Sequence, residues 1–272
     1  MGWRDRGIQI KTPEQIAGMR VAGLVVGRTL EMLRDVARPG LSTGALDEAA
    51  ETHIRQLGAT PSFLGYHGFA GSICVSVNDQ VVHGVPGARV LAEGDVVSID
   101  CGAIVDGWHG DAATTIALGE VGDDVRALMR VTEEAMWRGI AAARIAGRVS
   151  DISFAVEQHV RAQGPYGILE DYTGHSIGTE MHQPPDVPNY GRAGRGPRLV
   201  PGLALAVEPM VTLGSPETDI LEDDWTVVTS DGSWAAHSEH TFTLTDEGSW
   251  VLTALDGGKA ALAVLGVPYG GD

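Results

Sequence analysis

Apolar side chains at Ile16, Met19, Val26, Leu30 and Leu33 recur at helical spacing behind Thr12-Pro13-Glu14-Gln15. A capping threonine with proline at the first helical position predicts a helix there, stopped by Pro39-Gly40. Ser42 or Thr43 caps a second helix that ends near Leu57-Gly58. The period then changes. After a loop through Tyr66 to Phe69, Ile73–Val77 reads as an alternating strand, and the apolar Val81–Pro86 follows. Val96–Ile99 reads as a short, buried, β-branched strand. Asp106-Gly107 is the residue pair that a two-residue hairpin demands, so a return strand leaves through Trp108. Asp123-Asp124 opens a helix to about Ala146, its acidic start matching the helix dipole, and Ser150-Asp151 opens another to about Gln163-Gly164.

The second half thus repeats the first: two helices, then strands. Gly94-Asp-Val-Val-Ser-Ile-Asp100 and Gly202-Leu-Ala-Leu-Ala-Val-Glu208 each join a glycine, a buried strand and a carboxylate six residues on. A duplication would place Asp100 and Glu208 at equivalent points across a pseudo-twofold axis. One domain of two similar parts is expected over 12–255, with a short lead over 1–11 and a tail over 256–272.

Composition narrows the partners. The 272 residues are 43% hydrophobic and 20% charged, enough for a globular core. A formal charge of −17 argues against nucleic acid and anionic membrane. Cys74 and Cys101 are too few for a disulfide framework, the start offers no apolar signal core, and Ala260–Val267 is too short to cross a bilayer. A cytoplasmic protein with reduced thiols is expected, with Cys74 a buried side chain and not a nucleophile.

The chemistry begins at the central hairpin. Folding it brings Asp100 on the outgoing strand close to Asp111 on the returning one. Two carboxylates side by side in an apolar sheet repel, and burial makes each charge costlier, so a divalent metal is the economical partner. Further ligands come in context: His175 in the glycine-flanked Thr173–Gly178, Glu208 at the end of an apolar strand, and Glu239 before His240 in a strand of Thr, Phe and Leu. Four carboxylates and one imidazole can neutralise two divalent ions. A structural zinc site would call for thiolates and more histidines.

Asp100-x10-Asp111, Gly174-His175-x-Ile177-Gly178, Val207-Glu208-Pro209-Met210 and Ser238-Glu239-His240-Thr241 together resemble the signature of the methionine aminopeptidases. The likeness runs from about Thr12 to Thr253. It implies an α/β (α+β) pita-bread fold, in which two pseudo-twofold halves carry a central antiparallel sheet covered by helices. With 25 residues between His182 and Glu208 there is no room for the type 2 helical insertion, so the chain is similar to the short bacterial type 1 form.

The resemblance also implies roles. Asp100, Asp111, His175, Glu208 and Glu239 would bind two divalent ions, with cobalt, manganese, iron and zinc all open. Glu208 would take and pass on a proton, His182 would donate to the developing oxyanion, and His83 would contact the substrate near the scissile nitrogen. Tyr66, Phe69, Cys74, Met181 and Trp225 would line the methionine pocket. Two positions depart from the family's commonest pattern: Met181 stands where an aromatic is common, and Phe63 where a small residue is common. The implied activity is removal of initiator methionine before a small second residue, with nascent chain ends as substrate, the ribosome surface near the exit as a candidate partner, and a monomeric enzyme. The chain's own Met1-Gly2 is then an expected substrate. Two alternatives stand beside this reading: a proline-specific aminopeptidase or prolidase of the same fold, and a non-catalytic binding relative.

Overall fold

The computed structural model describes residues 7–271; the Met1-Gly2 end and part of the expected lead lie outside the described residues. The first helix, α1, spans Pro13–Val36 and starts on a capping box. Thr12 Oγ1 accepts from Gln15 N at 3.3 Å, while the Gln15 side chain accepts from Thr12 N at 2.9 Å. Helix α2 spans Thr43–Gln56, and its cap Ser42 accepts from Ala45 N. Helix α3 runs over Asp123–Ala142 and α4 over Val149–Gln163.

Helix α3 ends earlier than the expected Ala146 because the chain that follows is taken up elsewhere. Ala146 N donates to Leu199 O, and Leu199 N donates back to Gly147 O, which holds 146–147 outside the helix, with Ala146 in the left-handed region at φ 68°. Helix α4 begins at Val149, one residue ahead of Ser150, because the Asp151 carboxylate accepts from Arg148 N at 2.7 Å and closes its first turn.

The central hairpin is the longest strand pair. Its arms, Val96–Val105 and Trp108–Ala117, pair residue for residue from Val96↔Ala117 to Val105↔Trp108. Asp106 (φ 49°) and Gly107 (φ 80°) take the left-handed conformations of the two-residue turn. The outgoing arm is ten residues long, not the short Val96–Ile99 run expected. Asp100 and Gly102 have low strand propensity, and pairing along the whole length of the partner overrides it. Strand Ile73–Val77, expected to alternate, is buried at all five positions, since Ile73, Val75 and Val77 pack in the core under the helices and Cys74 on the other face lines the pocket.

Among the described residues the antiparallel strands form four sheets. The hairpin pairs with Ile73–Val77 and Thr60–Pro61, and its counterpart in the second half is the five-stranded ladder that holds Ala204–Val207 between Gly174–Ser176 and His240–Leu244. Helices α1 and α2 cover the first, through Leu33, Leu46 and Ile54 on Val75, Ile99 and Cys101. Helices α3 and α4 cover the second, through Leu128, Ile140, Ile152 and Val156 on Leu205, Val207 and Phe242. A short helix, α5 (Lys259–Val264), closes the second core with buried Leu262. No helix among the described residues is long and apolar enough to cross a membrane.

Helix α1 meets the hairpin backbone to backbone. A Cβ added at Gly110 would stand 2.7 Å from Gly23 N and 2.9 Å from Gly23 Cα. Neither backbone can yield cheaply. Gly110→Ala is therefore expected to destabilise the protein by about 1–3 kcal/mol, the usual cost of overpacking, measured by denaturant unfolding. A stability equal to wild type would show that α1 is free to lift away.

Candidate metal centre and adjoining pocket

In the hairpin register Asp111 lies opposite Gly102, and Asp100 sits two residues along the same face as Gly102. The two carboxylates are therefore diagonal neighbours. The returning arm is buttoned onto the second half at every other residue. Thr115 Oγ1 donates to His237 O at 2.7 Å and accepts from His237 N at 3.0 Å. Ala113 and Glu239 exchange both backbone hydrogen bonds, and Thr241 Oγ1 donates to Asp111 O at 2.7 Å. This seam carries Glu239 to the hairpin. Glu208 follows directly on strand Ala204–Val207, whose Val207 is paired with His240, so Glu208 and Glu239 emerge side by side. His175 comes from the neighbouring strand, Gly174–Ser176.

The donor atoms of Asp111, His175 and Glu239 lie within 4.8 Å of one another, as do those of Glu208, His237 and Glu239. His175 Nε2 is 3.4 Å from Glu208 Oε1 and 3.9 Å from Asp111 Oδ2. These contacts are not ion pairs, because burial holds the His175 imidazole neutral, its pKa lowered to about 3. Its Nδ1 lies 3.1 Å from the Ser176 carbonyl, which can only accept, so Nδ1 carries the proton and Nε2 offers its lone pair to the carboxylates.

The carboxyls are pushed the other way. Burial raises Asp100 to about 7 and Glu208 to about 8, and it lifts Asp111 and Glu239 well above the carboxylate range, with mutual repulsion adding to both. Among the described residues no lysine or arginine makes an ion pair with any of the four. Asp100 Oδ1, Asp111 Oδ1 and Glu239 Oε1 are buried and make no hydrogen bond. A hard, multivalent cation answers all of these at once, and the donor set of carboxylates and imidazole fits a divalent metal.

Every candidate residue read from the sequence lines this one pocket. Tyr66, Phe69, Cys74, Met181 and Trp225 form its apolar part, and His83 and His182 line it together with the carboxylates; it encloses about 110 Å³. Phe69 and Trp225 meet edge to face at 5.1 Å, and His83 meets Tyr172 and Trp225 in the same way. His83 is lowered to about 4 by burial, so it is neutral. His182, at the mouth, has Nδ1 2.9 Å from Tyr66 Oη and its ring 4.3 Å from that of His175.

The unexpected Phe63 also lines the pocket. Its bulk is taken up by Gly102: a Cβ there would stand 2.7 Å from Phe63 Cε1. Cys74 is buried, and burial raises its thiol well above the ordinary range. A larger cleft of about 510 Å³ lies between α1 and α3, lined by Arg34, Thr114, Glu133 and His240, and it contains none of these residues.

His237 is the one member of the cluster absent from the expected set. Its signal was the spacing His237-Ser238-Glu239, since residues two apart in extended chain share a face.

Comparison with known proteins agrees with this geometry. Residues 17–246 match the profile of metallopeptidase family M24, and the chain belongs to that family. Within the family it is a member of the methionine aminopeptidases. It is 50% identical to the methionine aminopeptidase of Clostridium acetobutylicum over 90% of this chain and 98% of that one, and 51% identical to methionine aminopeptidase 1 of Mycobacterium tuberculosis over 92% and 97%. The crystal structure of methionine aminopeptidase from Thermotoga maritima superposes with a TM-score of 0.89 at 40% identity, covering 91% of this chain and 99% of that one. A prolidase from Pyrococcus furiosus shares the fold with a TM-score of 0.73 at 21% identity, and this chain covers 66% of its length. The pita-bread architecture expected from the motifs is the observed one, and the chain is a metal-dependent hydrolase.

The carboxyls set a pH signature for metal-free protein. Their folded pKa values, about 7 for Asp100 and about 8 for Glu208, lie above the ordinary 3.8 and 4.5. Their contribution to stability is thus complete below pH ~4 and lost as pH rises through ~7–8. In chelator the melting temperature is expected to fall between pH 5 and pH 8.5, and added Mn²⁺ or Co²⁺ to raise it most at the upper end. A metal-free melting temperature that climbs across this window would overturn the charge assignment.

Proposed function

We propose that the chain removes N-terminal methionine from polypeptides whose second residue is small, using two divalent ions held by Asp100, Asp111, His175, Glu208 and Glu239. Four buried carboxylates with no lysine or arginine paired to them among the described residues, opening onto an apolar pocket, carry the reading. Carboxylates with one imidazole suit manganese, iron, cobalt or zinc. When bound, such ions acidify a water and stabilise the negative charge that grows on the scissile carbonyl.

The rest falls to the chain's own groups. Glu208, high in pKa yet beside neutral His175, takes a proton from the attacking water and returns it to the leaving amine. With the Tyr66 hydroxyl donating to Nδ1, the His182 proton sits on Nε2, which donates to the carbonyl oxygen as it becomes anionic. His83, neutral and rigidly packed, contacts the substrate near the scissile nitrogen. Phe69, Cys74, Met181, Trp225 and the Tyr66 ring take the methionine side chain, and the free α-amine meets the carboxylate end. Chain ends alone satisfy both.

Substrates in the cell are then nascent polypeptides, and the enzyme acts as a monomer. With a net charge of −17, any approach to the ribosome exit is made to protein and not to RNA.

Glu208→Gln keeps the shape of the side chain and removes its proton transfer. It is expected to cut kcat on a Met-Gly-Met peptide by about 10²–10⁴-fold while the fold persists by circular dichroism. Activity within tenfold of wild type would remove Glu208 from the proton path.

A Met-X peptide series tests the substrate assignment. The second residue is pressed against the wall that carries the catalytic groups, and one surplus methylene costs ~1–3 kcal/mol there. kcat/KM should decline from Gly, Ala and Ser through Val and Thr to near zero for Leu and Lys. Equal cleavage of Met-Gly and Met-Leu would refute the fit, and preference for X-Pro ends whatever the first residue would favour the proline-specific reading.

A further inference from the structure

Glu208 stands between two imidazoles. His175 Nε2 faces its Oε1 at 3.4 Å, and His237 Nε2 faces its Oε2 at 3.7 Å. The first belongs to the expected ligand set. The second has no role in the reaction described above, yet it is 1% exposed and its Nε2 makes no hydrogen bond. A buried ring nitrogen left without a partner is costly, and such an atom calls for an explanation.

We infer that His237 is a sixth ligand, a nitrogen donor to one of the two ions that it shares with Glu208 and Glu239. The inference rests on the dinuclear reading and extends it: each ion of the pair would then have one imidazole.

Three features carry this. First, 3.7 Å is too long for a hydrogen bond from His237 to the Glu208 carboxylate. It is close to what two donors on one ion require, since metal bonds of ~2.0–2.2 Å set neighbouring ligand atoms ~3–3.6 Å apart. The contacts of His175, a residue of the expected ligand set, lie on either side of this separation, at 3.4 and 3.9 Å. Second, the donor atoms of Glu208, His237 and Glu239 form a cluster of their own, all within 4.8 Å, beside the one made by Asp111, His175 and Glu239. Third, the ring is held in place by its backbone. His237 exchanges hydrogen bonds with the Thr115 hydroxyl on one side and is paired with Met210 on the other, two residues after Glu208. His237 and Glu239 are two apart in extended chain, so both side chains are presented to the same point.

The consequence is selectivity. Without His237 one ion would be held by carboxylates alone, a set suited to manganese or magnesium. An imidazole there shifts the preference towards zinc, cobalt and iron.

The test uses the full-length protein stripped of metal, titrated calorimetrically with Zn²⁺ and separately with Mn²⁺, for wild type and His237→Gln. The amide preserves size and polarity and removes the imidazole. Wild type should bind two zinc ions. His237→Gln should keep one at wild-type affinity and lose more than about 100-fold on the other, beyond the 10–100-fold typical of removing an outer partner. Its manganese affinity should change far less. In the Co²⁺-loaded protein the visible absorption bands should shift with the loss of a nitrogen ligand. Thermal melting of the metal-free variant checks folding, and His237→Ala gives the same titration should the glutamine variant fail to fold. Two zinc ions bound by the variant at wild-type affinity, or an unchanged Co²⁺ spectrum, would overturn the assignment and leave His237 a packing residue. A wild type that binds no ion would instead bring down the metal-site reading itself.

Discussion

Four carboxylates converge on one buried point, and among the described residues no lysine or arginine pairs with them. Asp100, Asp111, Glu208 and Glu239 are all raised above the ordinary carboxylate range by burial. Such a cluster opposes folding unless its charge is discharged by protons or by cations. The protein is organised to tolerate this. Two helix-covered cores on either side supply the apolar burial that holds the strands, and the carboxylates lie between them.

The seam between the halves explains how the site stays rigid. Thr115 with His237, Ala113 with Glu239 and Asp111 with Thr241 bind one hairpin arm to the second half at alternate residues. Each contact holds a backbone beside a residue of the cluster: Asp100, Asp111 and His175 lie in strands, and Glu208 and Glu239 sit directly at strand ends. Preorganisation of this kind keeps donors aimed at a charge without reorganisation during reaction. Glycine makes the approach possible on the outer side, where α1 rests directly on the hairpin at Gly110.

The pocket shows compensation at the level of single side chains. Phe63 brings a ring into the pocket wall, and the strand position beneath it is Gly102, whose missing Cβ leaves the room. Cavity walls are close-packed, so added volume at one position is matched by lost volume at a neighbour.

Much of this was legible in the sequence because its signals are local. The threonine and serine caps located α1 and α2, the Asp106-Gly107 pair set the hairpin register, and that register alone put Asp100 and Asp111 on one face. Motif context then gathered His175, Glu208 and Glu239. Local propensity misjudged the hairpin's outgoing arm, whose Asp100 and Gly102 look like strand breakers, and the end of α3, which depends on pairing with Leu199 far along the chain. His237 was passed over for the same reason, its two-residue spacing from Glu239 being too weak a signal alone. A histidine two residues before a ligand gains meaning only when the seam turns that strand towards Glu208, and Phe63 only when its ring is seen over Gly102. Caps, turns and periodicity belong to a few neighbouring residues, so the sequence determined the elements and most of the donor set. Which buried donor atoms come together is settled by contacts between segments far apart in the chain, such as Thr241 on Asp111, and only the tertiary structure decided that.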